Sequence, residues 1–121
     1  MKIASYKELK IWQEGIEVVK FIYKLSSKFP REELYGLCSQ MRRSAISIPS
    51  NIAEGFKRFH AKEYTQFLNV SRGSIAELET QLIIAKDLGF CSGTNIGPIF
   101  EKLEGISKMT TALIKKLRGG E

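Results

Sequence analysis

Apolar residues recur every three or four positions along most of this chain, in runs separated by proline, glycine or short polar turns. The first run takes in Tyr6, Leu9, Trp12, Ile16, Val19, Ile22, Leu25 and Phe29. That spacing marks an amphipathic helix, because 3.6 residues complete one turn. Ser5 with Glu8 reads as a capping box ahead of it. Phe29-Pro30 closes it, since the residue before a proline is pushed out of the α region. A second run carries Leu34, Leu37, Met41, Ala45, Ile48, Ile52 and Phe56, and a third carries Tyr64, Phe67, Leu68, Ser71, Ile75, Leu78, Leu82 and Ala85. Gly89 is a natural stop for the third. The fourth follows the loop CSGTN through Ile96, Phe100, Leu103, Ile106, Thr110, Leu113 and Leu117 to Gly119-Gly120. The pattern predicts helices over about 5–28, 32–57, 61–88 and 94–118, and no strand. Short connections make consecutive helices antiparallel neighbours. The expected fold is therefore all-α, a single domain over 1–121 forming an up-down-up-down four-helix bundle.

The stretch QMRRSAISIPSNIAEGFKR, residues 40–58, departs from a plain core helix. At 100° per residue, Leu34, Leu37, Cys38, Met41, Ala45, Ile48, Ile52 and Phe56 share one direction across Pro49. The core stripe keeps its phase through the proline, which favours one helix kinked there over two helices and a loop. Pro49 cannot donate to the carbonyl of Ala45, and Ser47 and Ser50 are the expected partners for that oxygen. A second stripe of small polar residues, Gln40, Ser44, Ser47 and Asn51, lies about 120° from the core direction. It suits either a solvated face or a close subunit contact, and Ile46 and Ala53 add weight to the contact. With helices two and three joined by a turn near residue 60, residues whose numbers sum to about 120 stand level. Arg42 and Arg43 then face the run AELETQ, so Glu77 and Glu79 are their expected ion-pair partners, with an anion site as the other possibility.

Composition adds a charge and removes several function classes. The chain has 121 residues, 43% apolar and 26% charged, with a net charge of +6. No apolar run is long enough to span a bilayer, and MKIASYKELK lacks a secretory h-region, so no membrane partner is expected. Cys38 and Cys91 are two thiols in a chain that needs no staple, which suits the reducing cytoplasm. Neither thiol has ligand-spaced partners, and His60 is the one histidine, so no metal or other cofactor is expected. There is no glycine-rich phosphate loop, GxSxG, HExxH or CxxC. Glu54, Glu77 and Glu79 with His60 could in principle do acid-base work, but the Glu-x-x-His motifs of a di-iron bundle are missing. The expectation is a protein that is not an enzyme. Gly15 and Gly73, isolated within helical runs, read as points of close helix packing.

The bundle also sorts charge. Its chain ends and the turn after helix two share one pole, where Lys2, Lys7, Lys57, Arg58, Lys62, Lys115, Lys116 and Arg118 meet Glu8, Glu54, Glu63 and Glu121. Lysines at a helix C-terminus complement its dipole, which accounts for part of this clustering. Lys57-Arg58-Phe59-His60, however, sets an aromatic ring among cations on a tight turn, a composition that suits stacking on an unpaired base. Candidate nucleic-acid contacts are thus Lys57, Arg58, Phe59, His60, Lys62, Lys115, Lys116 and Arg118.

Three segments carry a family resemblance. YGLCSQMRRSAISIPSNIAEGFKR, EYTQFLNVSRGSIAELETQLIIAKDLGF and YKELKIWQEGIEVVKFIY resemble the small four-helix bundle proteins encoded in intervening sequences of bacterial 23S ribosomal RNA genes. Cys38 stands where that family usually has threonine. The resemblance implies a left-handed bundle assembled as a homopentamer, with no enzymatic activity. It also implies a distant relation to the accessory variability protein of diversity-generating retroelements, a basic pentamer that binds a reverse transcriptase and nucleic acid. Expected partners are further copies of the chain and RNA or DNA, or else a protein for which the chain is an accessory module.

Overall fold

A computed structural model describes residues 2–119. The segments are a 3₁₀ turn at Tyr6–Glu8, α1 at Lys10–Ser26, a 3₁₀ turn at Arg31–Glu33, α2 at Leu37–Phe56, α3 at Ala61–Asp87 and α4 at Gly93–Leu117. Gly120 of the expected stop signal and Glu121 of the expected pole lie outside the described residues. Among the described residues there is no strand, and α2 runs unbroken through Pro49.

Helix starts differ from expectation in instructive ways. Ser5 and Glu8 do not open α1. Instead Ser5 accepts from the Lys7 amide, which closes a 3₁₀ turn, and Leu9 is extended at ψ 129°. The turn lets the Tyr6 ring fold back onto Trp12, 5.4 Å away, and onto Phe56 of α2, 6.5 Å away. The start of α2 is likewise delayed, to Leu37. Gly36, at φ −112° and ψ −109°, breaks the phase, and Glu33 accepts from the Leu37 amide. Leu34, expected in the core, is consequently 43% exposed. Ser92 and Asn95 form a reciprocal capping box that starts α4 inside the CSGTN loop.

The core draws on all four helices: Val18 and Ile22, Met41, Ala45, Ile48 and Ile52, Leu68, Leu78 and Leu82, Leu103 and Ile106. At roughly 1.5–3 kcal/mol per buried aliphatic side chain, this cluster is the main stabilising term. The expected faces of α2, α3 and α4 are largely the buried ones, whereas α1 is turned by roughly 60°, with Ile22 alone common to its expected and buried sides. Its buried side is Ile11, Gly15, Val18, Ile22 and Ser26. Trp12, Ile16 and Val19 line instead a groove beside Ile46, Pro49 and Ala53 of α2.

Contacts define the pairing. Ser71 donates to the Ile48 carbonyl at 3.0 Å, the Ser74 hydroxyl lies 2.7 Å from Ser47 Oγ, and Tyr64 lies against Gly55. Their numbers sum to about 120, so α2 and α3 are antiparallel in the expected register. Gly15 against Pro49, and Cys38 donating to the Ser26 carbonyl at 3.4 Å, set α1 antiparallel to α2. Lys102 and Glu14, 2.6 Å apart, tie α4 to α1.

Two glycines allow these approaches. A Cβ on Gly15 would sit 3.2 Å from the Pro49 ring, and one on Gly55 would sit 2.9 Å from Tyr64 Cδ1 and 3.1 Å from its carbonyl oxygen. Gly73 has nothing within 4 Å and does not mark a close contact, contrary to expectation. Gly55→Ala should therefore destabilise by about 1–3 kcal/mol through overpacking. Gly105→Ala, in open space within α4, should stabilise by up to about 1 kcal/mol through helix propensity. Urea denaturation followed by circular dichroism checks both signs.

Candidate functional site

The pole is built from helix ends. α2 finishes at Phe56, the turn 57–60 follows, α3 starts at Ala61 and α4 runs out at Leu117. Beneath the turn the rings of Tyr6, Phe56 and Tyr64 form an edge-on series with centroids 6.5 and 6.2 Å apart, so the turn rests on packed aromatics. Burial pushes the Tyr64 hydroxyl above its ordinary value.

Lys57, Phe59, His60, Lys62, Lys115, Lys116 and Arg118 are all exposed. Phe59 is 97% exposed, an apolar ring that packs on nothing. His60 is the N-cap of α3 by its backbone alone, its side chain making no capping bond. Lys62 and Arg118 line one concavity of about 470 Å³ between the start of α3 and the end of α4. Thr65, Gln66 and Asn69 complete it. Sequence reasoning missed these three polar residues, although Lys62, Gln66 and Asn69 are spaced by four and three and so share a helix face. Arg58 differs from the other cations in being already engaged. It bonds Glu54 at 2.7 Å, and its guanidinium lies 4.7 Å from the centroid of the Phe67 ring. Both partners of that pair are well exposed, so it contributes only about 0.3–0.5 kcal/mol, but it fixes the arginine in place.

The other expected contacts are redistributed. Among the described residues the ion pairs are Lys20–Glu17, Arg58–Glu54 and Lys102–Glu14. Neither Arg42 nor Arg43 is paired with Glu77 or Glu79. Arg42 turns to α1, donating from Nε to Ser26 Oγ at 2.9 Å with its guanidinium 4.6 Å from the Tyr23 ring centroid. Arg43 shares a polar groove with Glu77, as the register requires, without an ion pair. The stripe that suits either a solvated face or a subunit contact is partly engaged inside the chain. Ser44 is buried, Asn51 donates to Ser47 Oγ and to the Ser47 carbonyl at 2.8 Å, and Ser47 also meets Ser74 of α3. Small side chains do permit a close approach here, but the helix that approaches is α3. Gln40 stays exposed, and so does Ser50, an expected partner of the Ala45 carbonyl.

A comparison with protein-family models matches residues 7–112 to the 23S rRNA-intervening sequence protein family. The chain belongs to that family. A search of the curated proteins returned no match. The matched span takes in α1, α2 and α3 whole and most of α4, and with them the buried hydrophobic core except Ile114.

Among the described residues no group of His, Cys, Asp and Glu could hold a metal, and no helix is long and apolar enough to cross a membrane. Burial, followed by the neighbouring carboxylate of Glu104, pushes Glu79 above its ordinary value of 4.5. A carboxyl raised in the folded state binds its proton more tightly there than in the unfolded chain. Its penalty is absent below pH 4.5 and grows as pH rises through the folded value. Glu79→Gln should accordingly stabilise the protein at pH 7, and the gain should vanish near pH 4. Urea midpoints at the two pH values check this.

Proposed function

We propose that this protein is a non-catalytic, oligomeric, cytoplasmic nucleic-acid-binding member of its family, which holds RNA through the basic pole. The observation that carries the reading is Phe59, fully presented on the 57–60 turn and flanked by Lys57, Arg58 and His60, with Lys62 one turn away. A ring presented among cations meets unpaired bases well. Lys57, Lys62, Lys115, Lys116 and Arg118 would act on phosphates, which position a strand without reading its sequence. Membership in a family named for 23S rRNA intervening sequences agrees with an RNA partner.

Assembly is part of the same reading. The chain carries the apolar Trp12–Ile46 groove on one side and, on α3, exposed apolar residues at Val70 and, about 21 Å along the helix, at Ile84 and Leu88. Unlike surfaces suit a head-to-tail ring of copies. The number five comes from the family resemblance, and a ring would place the same pole of every copy on one rim. Light scattering should give a mass near five times 13.7 kDa. A stable monomer at micromolar concentration would remove the ring.

The α3 surface also supports a second reading, a docking module for another protein with no nucleic acid involved. Fluorescence anisotropy with matched single- and double-stranded RNA decides between the two. Lys57→Glu with Lys62→Glu should weaken binding to every sequence and flatten its salt dependence by about one unit of log–log slope per lost phosphate contact. Phe59→Ala should weaken single-strand binding more than duplex binding. Unchanged affinity of the charge-reversed protein at every salt concentration leaves the docking module as the function.

A further inference from the structure

Half-buried arginines in proteins ordinarily face a carboxylate, and Arg42 does not. Its Nε–H is taken by Ser26 Oγ at 2.9 Å. The serine can accept because its own proton goes to the Ile22 carbonyl at 2.7 Å. The Tyr23 ring lies under the guanidinium face at 4.6 Å. One edge and one face of the group are thus fixed, and the two terminal nitrogens, a fork of four N–H donors, meet no acceptor among the described residues. Arg42 lines a concavity of about 230 Å³ between the end of α1 and the start of α2. Phe29, Pro30 and Leu34 supply apolar wall, and Arg31 lines the same space. Leu34 is on this wall because Gly36 breaks the phase of α2 and leaves its side chain partly uncovered.

We propose that this concavity binds a small organic monocarboxylate, its head on the Arg42 fork and its tail against Phe29, Pro30 and Leu34. A planar pair of oxygens matches a guanidinium fork in two parallel bonds, and the fixed orientation of Arg42 reduces the entropy lost on binding. The charge balance selects a singly charged ligand. Glu33, held at the Leu37 amide, acts with Arg42 on the same Cys38 thiol, and its negative charge near the site disfavours a doubly charged phosphate relative to a carboxylate. The apolar wall then favours a tail that phosphate lacks. The site lies at the pole opposite the 57–60 turn and is independent of any nucleic-acid binding.

Isothermal titration calorimetry of the full chain with hexanoate, acetate and inorganic phosphate tests the site. Hexanoate should bind saturably, one per chain, and acetate about tenfold more weakly for want of buried methylenes. Arg42→Lys, which keeps the charge and loses the fork, should cost roughly tenfold, and Arg31→Gln about threefold. Leu34→Ala, at an exposed position, should bring hexanoate toward acetate and leave acetate unchanged. Lys57→Glu, at the other pole, should change nothing. The proposal is overturned if hexanoate shows no saturable binding up to about 50 mM, a range that reaches millimolar affinities. It is equally overturned if phosphate binds as well as hexanoate, or if Lys57→Glu rather than Arg31→Gln abolishes binding. Should Arg42→Lys fail to fold by circular dichroism, the folded Arg31→Gln and Leu34→Ala proteins decide the question.

Discussion

The backbone of α2 is approached closely from two sides, by Gly15 against the Pro49 ring, where a Cβ would be tight at 3.2 Å, and at Gly55, where a Cβ would meet Tyr64 at 2.9 Å. Proline inside a helix removes one hydrogen bond and adds a ring where a carbonyl would otherwise sit, at a cost of about 3 kcal/mol in an unadapted setting. Here the ring is buried in the crossing with α1, and its apolar surface is covered by a residue that offers no Cβ of its own. The polar side of the same stretch is met by serines of α3, Ser71 on the Ile48 carbonyl and Ser74 on Ser47. The segment that resists plain classification as core or loop is therefore the axis of the bundle, an apolar ring turned to one neighbour and small polar groups turned to the other.

Sequence periodicity reads well where one face of a helix is apolar and the rest is not. In α3, Leu68, Ser71, Ile75, Leu78, Leu82 and Ala85 of the periodic run are all buried, joined by Ser74, while Tyr64 and Phe67 at its start are half-buried. It reads poorly in α1, where two apolar faces compete. Ile11, Val18 and Ile22 are as periodic as Trp12, Ile16 and Val19, and composition cannot say which of them faces the core. Capping signals share this ambiguity. Ser5 and Glu8 fit a helix start in the sequence, but packing of the Tyr6 ring on Trp12 and Phe56 favours a 3₁₀ turn that no local propensity encodes.

The candidate site was legible to the extent that it depends on topology. An antiparallel bundle of four must bring its chain ends and its middle turn to one pole, so the cations near residues 57–62 and 115–118 could be grouped from sequence. Rotation about each helix axis was not legible to the same degree. Gln66 and Asn69 join Lys62 because of how α3 is turned against α4, and the small stripe of α2 faces α3 for the same kind of reason. Hydrogen bonding of Ser47, Asn51 and Ser74 removes those groups from competition for an outside partner, because a buried polar group that loses its partner is expensive.

Two arginines show how local acids decide what a cation can do. Arg58 and Arg42 each lie over an aromatic ring, at 4.7 and 4.6 Å from its centroid. One turn before Arg58 stands Glu54, which takes its charge into an exposed pair. One turn before Arg42 stands Cys38, whose thiol burial pushes above its ordinary value and so keeps neutral. A neutral neighbour leaves Arg42 without an ion pair on its own helix, and Ser26 supplies orientation without supplying a counter-charge. Arg58 is therefore a brace for the turn, with the electrostatic attraction of that pole resting on Lys57, Lys62, Lys115, Lys116 and Arg118. Arg42 keeps a fixed orientation and no ion-pair partner among the described residues, at the pole with fewer cations.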